Sequence, residues 1–313
     1  MPLPTVLMTD VIRSSQQGES HGGAYLIDLE AGSFRQVIDH ATSDINWEGR
    51  GLGRGLRGIA FDGDEIYIAA SDELFVYDTE FNLLRSHTCP SLHHAHEIFL
   101  DGHRLYVTST SNDSVLEFDL DQRIFTAAWH IRAEQRPGPS GLPMSVSKFD
   151  PRSARGPKRD DVFHINSVWR HEGKTLLSGT VLPVILSLEG ARLTPFAKIP
   201  AGTHNARPFE GGVLCNATEQ DQILRCDLNA RPKARYTIPK YDPESLIGAN
   251  TPDDYARQGF ARGLCTTDDG LLIVGSSPGT VSAFDLESRE LLKSVNVTLD
   301  VRNAPHGLEI WPY

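Results

Sequence analysis

Three of the twelve histidines in this 313-residue sequence, His96, His204 and His306, fall at equivalent places in an internal repeat. Three imidazoles converging on one axis can hold a divalent metal and leave coordination positions open for water or substrate, as a catalytic centre requires. The expected cofactor is one divalent ion, with zinc, manganese, iron and copper all compatible with the donors. Two more histidines lie two residues before such a position, in His94-Ala95-His96 and His164-Ile165-Asn166. Side chains two apart on a strand point the same way, so His94 and His164 are candidates for a fourth ligand or a proton shuttle. Glu97, the neighbour of His96, is a candidate ligand, a partner for a histidine N–H, or a general base. Its alternative is a salt bridge to Arg57.

The other repeats carry Arg57, Asn166 and Arg262 at the same position, and Asn205 directly follows His204. Guanidinium groups beside a metal suit an anionic substrate gripped in bidentate fashion. Arg57, Arg262, Asn166 and Asn205 are therefore the expected substrate-binding set. Neutralising Glu97 and nearby acids is the other use for the two arginines. Asp10, at the end of a strand expected to share a face with His306, is a further candidate base. Polar residues lining a channel also simply hold water, and that alternative stays open.

The elements that must position these residues are short strands. A run of apolar residues, usually ending in Asp and then a turn, recurs at Tyr25–Asp28, Phe75–Asp78, Leu116–Asp119, Val184–Ser187, Leu224–Asp227 and Ser282–Asp285. Two strand-like runs split by a Gly/Asp turn precede five of the copies, most clearly Ile59–Ile68 and Gly263–Val274. In five copies the interval from the candidate position to the closing Asp or Ser is 21 or 23 residues, which sets the register. Period-2 alternation with frequent turn residues and no amphipathic helix predicts four strands per unit in six units, an all-β six-bladed β-propeller. The first unit has strands at Thr5–Asp10 and Gly23–Leu29 but none before them. Gly307–Trp311 supplies the missing one, so the termini are expected to share one blade and remove the open edges. In a six-fold ring, alternate blades would set His96, His204 and His306 about 120° apart. The whole of 1–313 is expected to be one domain.

With 30 Lys+Arg against 41 Asp+Glu and a formal charge of −11, the chain lacks the basic surface that phosphate contacts need, so no nucleic-acid partner is expected. No window approaches the ~20 apolar residues of a membrane span, and the N-terminus does not read as a signal peptide, which excludes a membrane partner and points to the cytoplasm. The four cysteines, Cys89, Cys215, Cys226 and Cys265, have no ligand spacing and fit buried thiols in a reducing compartment. The sequons at Asn216 and Asn296 carry no weight there. Oligomeric state is not legible.

Three connections are long: 41–55, 131–162 and 239–258. Each precedes an innermost strand, so all three are expected at the face where the histidines begin, as a cover over a site. The glycines of Gly49–Gly53 do not form a phosphate loop, since they lack a GK[ST] ending and lead into a strand.

The repeat, length and shared first blade resemble the six-bladed propeller superfamily of gluconolactonases, strictosidine-synthase-like proteins and streptogramin lyases. The resemblance covers almost the whole chain and implies the fold. Lactonases of that group use mainly Glu, Asn and Asp around a hard cation; only Asn166 matches, so no catalytic residue is carried over. Imidazole-rich sites in the seven-bladed carotenoid-cleaving oxygenases and oligogalacturonate lyases are similar in kind. The expected function is a metal-dependent enzyme performing elimination, hydrolysis or isomerisation on a small carboxylated substrate. An iron or copper oxidative enzyme on the same histidines, and a non-catalytic binding platform, are the alternatives.

Overall fold

A computed structural model describes residues 2–41, 53–136, 143–252 and 256–313. Among these, 25 strands form six antiparallel sheets, the blades of a β-propeller, and the helical content is three 3-10 turns of three residues each. No described helix is long and apolar enough to cross a membrane. Segments 42–52, 137–142 and 253–255 of the three long connections, with Trp47, Gly49–Gly51 and Tyr255 among them, lie outside the described residues.

The chain divides into two compact units. The first comprises Met1–Ile59, Asn216–Ile223 and Ala234–Tyr313, and the second Ala60–Cys215 and Leu224–Lys233. In the first unit, one sheet runs Asn303–Ile310, Thr5–Ile12, Gly23–Asp28, Ser33–Asp39, with Val6 opposite Ile310 and Met8 opposite Leu308. The shared terminal blade is thus present. Its C-terminal strand begins at Asn303, four residues earlier than the apolar run indicated, because Asp10–Ile12 extend the ladder to Pro305–Asn303. The other sheet of this unit runs Ala261–Thr266, Leu271–Ser276, Thr280–Asp285, Leu291–Asn296. Val6, Met8, Ile27, Ile273, Val281 and Leu308 pack together between these strands.

The second unit contains the blades that begin at Leu56, Ile98 and Ile165 in their larger part, and the blade from Thr203 to Thr237 divides its residues between both units. Val115 packs with Ile165, Val168 and Leu177, whereas its neighbour Leu116 packs with Val76, Leu105 and Val107. Both faces of that sheet are therefore buried, which is why its middle strands read as nearly continuous apolar runs rather than clean alternation. The Ile98 blade has a fifth strand, Met144–Phe149, paired with Ile124–Ala133. The 131–162 connection, expected as a loop, spends part of its length on this added edge.

The recurring Asp that closes five of the six repeats is a turn-former. Asp28, Asp78, Asp119, Asp227 and Asp285 each accept, through Oδ1, a backbone N–H two to four residues on, at 2.6 to 3.1 Å. This is the Asx turn that lets a strand reverse without another partner. All four cysteines are free thiols, three of them buried. The sequon Asn216 is buried, with its Nδ2 donating to the Arg262 carbonyl at 2.7 Å.

Candidate functional site

Register sets where the candidate side chains start. Arg57, Asn166, His204 and Arg262 are each the second residue of the first strand of their blade. The ladder slips at several of these places: between Met8 and Asp10 opposite His306, between Ile165 and Ser167, and between Ala261 and Leu264. A bulge re-aims the side chain it carries. His94, His164 and Asn205 also adopt left-handed backbone, with φ of 56°, 54° and 45°. Non-glycine residues there cost about 1–3 kcal/mol and cluster at functional sites.

In the second unit the ligand atoms of His96, His164 and His204 lie within 4.8 Å of one another, the one such histidine, cysteine or carboxylate group among the described residues. His96 and His204 come from the expected position. The third member is His164, expected as an accessory ligand or shuttle, whereas His306 belongs to the first unit and is not in the group. Ring centroids stand 5.2 Å apart for His96–His164, 6.1 Å for His164–His204 and 6.4 Å for His96–His204. His94 adds a fourth ring 4.5 Å from His96 and 5.9 Å from His164. His96 is buried; His164 and His204 are half-buried.

The hydrogen bonds set the tautomers. Thr110 Oγ1 donates its single proton to the Ile165 carbonyl at 2.7 Å, so toward His96 Nδ1, 2.9 Å away, it accepts. His96 Nδ1–H is shared with the His94 carbonyl at 3.0 Å, which leaves the lone pair on Nε2. His164 Nδ1 lies 3.1 and 3.0 Å from the two oxygens of Asp161 and donates to that carboxylate, again leaving Nε2 as the donor atom. A carboxylate behind an imidazole fixes its orientation and raises its basicity as a metal ligand. The donor set therefore fits a transition metal. Tetrahedral Zn–N bonds of about 2.1 Å need nitrogens about 3.4 Å apart, so the rings must draw in by up to about 1.4 Å on binding.

Sequence reasoning missed Asp161, Thr110 and Asp113. Asp113 accepts the N–H groups of Val162, Phe163 and Ile165 at 2.6, 2.9 and 3.2 Å, so it clamps the turn that presents His164. Burial raises its pKa, while those three N–H bonds oppose the shift. The Asp161–His164 spacing, an acid three residues before a histidine, was the available signal. Glu97 and Asn205, each one residue beyond a ligand histidine, meet directly: Asn205 Nδ2 donates to Glu97 Oε2 at 2.7 Å. Asn166, expected to bind substrate, turns its Nδ2 to Thr180 Oγ1 at 2.7 Å.

The remaining candidates share the first unit. His306 Nδ1 is 2.8 Å from the Ala304 carbonyl, and burial beside Arg262, Arg57 and Arg13 holds its pKa well below the usual histidine range. Thr9 Oγ1 donates to the Arg57 carbonyl and accepts from Gly307 N at 3.0 Å, and a Cβ at Gly307 would strike that carbonyl. Asp10 is fully buried and accepts from Gly23 N at 2.6 Å and Asn303 Nδ2 at 2.8 Å. Desolvation outweighs these bonds and pushes its pKa from 3.8 up to about 6. Because the folded-state pKa is raised, the stabilising contribution of this carboxyl is complete below about pH 4 and disappears as pH rises through about 6. Urea midpoints at pH 4.5 and 7.5 should show a loss on the order of 2 kcal/mol, the share of the full effect still present at pH 4.5 at 1.36 kcal/mol per pKa unit. The Asp10→Asn variant should lack this component of the pH dependence.

The sequence matches no protein-family model and no curated protein. Among solved structures, a chain of the nidogen/laminin complex is 12% identical with a TM-score of 0.58, covering 97% of each chain. A protein of unknown function from Bacteroides caccae is 12% identical with a TM-score of 0.60, covering 98% of each. A streptogramin B lyase structure is 9% identical with a TM-score of 0.52, covering 80% of this chain and 86% of its own. At these identities the likeness is one of fold: the chain is similar to β-propellers, streptogramin B lyase among them.

Proposed function

We propose that this protein is a metal-dependent enzyme whose divalent ion is held by His96, His164 and His204, and that its substrate is a small carboxylated molecule. The observation that carries the reading is the grouping of three imidazoles with Nε2 the donor atom of His96 and His164, one ring backed by the Asp161 carboxylate. Three imidazoles without a thiolate or a bound carboxylate leave open positions for a substrate oxygen. An ion bound there would supply Lewis-acid polarisation of a carbonyl or carboxylate.

The residues of the chain divide the remaining work. Asp161 and Thr110 hold two rings in the ligand tautomer. His94, in ring contact with His96 and His164, is placed to carry a proton. Glu97 is the candidate base, its Oε2 steadied by the Asn205 amide. Elimination, hydrolysis and isomerisation all need this combination of electrophile and base.

The test is elemental analysis of protein purified without a metal-binding tag. About one equivalent of zinc or manganese supports Lewis-acid chemistry. Iron or copper at the same stoichiometry moves the assignment to an oxidative enzyme on the same histidines. No metal, even after reconstitution, overturns both and leaves a propeller that binds a partner without catalysis.

A further inference from the structure

We propose that the first compact unit carries an oxyanion-binding site built on Arg262, with Arg57 and Arg13 as flanking positive charges, suited to a small carboxylate or phosphoryl group.

Arg262 is only 5% exposed, yet its Nε and Nη1 are buried with no acceptor among the described residues. The backbone that presents it is fixed: Asn216 Nδ2 donates to the Arg262 carbonyl at 2.7 Å, and Thr218 Oγ1 to the Ala261 carbonyl at 2.6 Å. Its guanidinium lies 4.9 Å from the Phe260 ring centroid, with that of Arg257 4.3 Å from the same centroid. Arg257 has a carboxylate partner in Asp221. Arg262 has no ion pair with any described carboxylate.

Its neighbours add positive charge. Arg57 is 2% exposed and gives Nη2 to the Gly53 carbonyl at 2.7 Å, which anchors its guanidinium. Burial, and then repulsion from Arg13, Arg57 and Arg257, drives the Arg262 pKa well below the usual arginine value. Burial, and then the charges of Arg262, Arg57 and Arg13, likewise hold the His306 pKa well below the usual histidine range. Asp10, a fully buried carboxylate of this unit, has one oxygen on Gly23 N and the other on Asn303 Nδ2, and Asp300 is paired with Arg302. Guanidinium stays charged when buried and presents a planar fork of donors. Buried guanidinium donors without acceptors, among like charges, are satisfied by a ligand bringing oxygens and negative charge.

The inference does not rest on the metal, and its test is run on chelator-treated, metal-free protein. Inorganic phosphate and malonate are titrated separately while melting temperature is followed, with sodium chloride at matched ionic strength as the control. The expected result is a saturable rise with at least one of the two anions and none with chloride; the more effective anion names the source. Arg262→Met abolishes the rise. Arg262→Lys, which keeps the charge and loses the fork, weakens binding by about tenfold or more, the loss of one charge-assisted hydrogen bond. No saturable rise in the wild type, or an equal rise in Arg262→Met, overturns the site. Circular dichroism of both variants establishes that they fold, and should Arg262→Met fail to fold, the Arg262→Lys titration decides. Protein that takes up anion but no metal would sink only the metal reading, and the reverse result only this one.

Discussion

The His96→Ala/His204→Ala variant takes up no transition metal, whereas His306→Ala takes up as much as the wild type. Of the three grouped imidazoles only His164 remains in the double variant, and one neutral ligand of that group cannot hold a divalent ion against water. His306 lies in the other unit and outside the group of nitrogens within 4.8 Å, so its removal leaves the donor set whole. Asp161→Asn falls between these extremes. It keeps all three rings but removes the charge behind His164 Nδ1, and such substitutions lower metal affinity by about 10–100-fold. Competition against a chromogenic chelator reads the wild type and these variants, with His164→Ala, on one scale. Loss of metal in His306→Ala with retention in His164→Ala would restore the set His96, His204 and His306 and refute the assignment to His164.

Truncation before Asn303 abolishes cooperative folding of the first unit. The lost strand carries buried Ala304 and Leu308 and forms the ladder against Thr5–Ile12, whose Val6, Leu7 and Met8 are fully buried. Each large apolar side chain returned to water costs about 1.5–3 kcal/mol. With total stabilities of about 5–15 kcal/mol, that loss is of the order of the whole. The bared edge of Thr5–Ile12 also becomes a template for aggregation. Moving residues 303–313 in front of residue 2 should restore the fold. Trp311 N already donates to the Thr5 carbonyl at 3.0 Å, and the joined segment is short enough for a hairpin connection. A soluble, cooperatively unfolding truncation would show that the strand is dispensable; an insoluble permutant would show that chain order, not only pairing, is required.

The fold was legible because its signals are local. The Asp closing five of the six repeats satisfies N–H groups within four residues, so it recurs wherever that turn recurs. The 21- or 23-residue interval then carried the register to the second residue of four inner strands. The added Met144–Phe149 strand was not legible, because an edge strand in a long connection has no repeat to match. The site was legible by half. His96 and His204 follow from register, but the third imidazole depends on backbone that register does not describe. Asn166 occupies the equivalent place and turns to Thr180, while His164, two residues earlier and left-handed, reaches the group. Nothing in residue type distinguishes those two outcomes. The clamp by Asp113, from a different blade, decides them.

That clamp also bears on how the sequence can change over time. The connection from Ile131 to Val162 leaves one blade, detours through Met144–Phe149, and returns to three N–H groups held by a single carboxylate. Its two ends are anchored independently of its length. A change of length earlier in this connection can therefore be absorbed before Asp113 takes hold, so that the histidine group stays unchanged while the chain leading to it diverges.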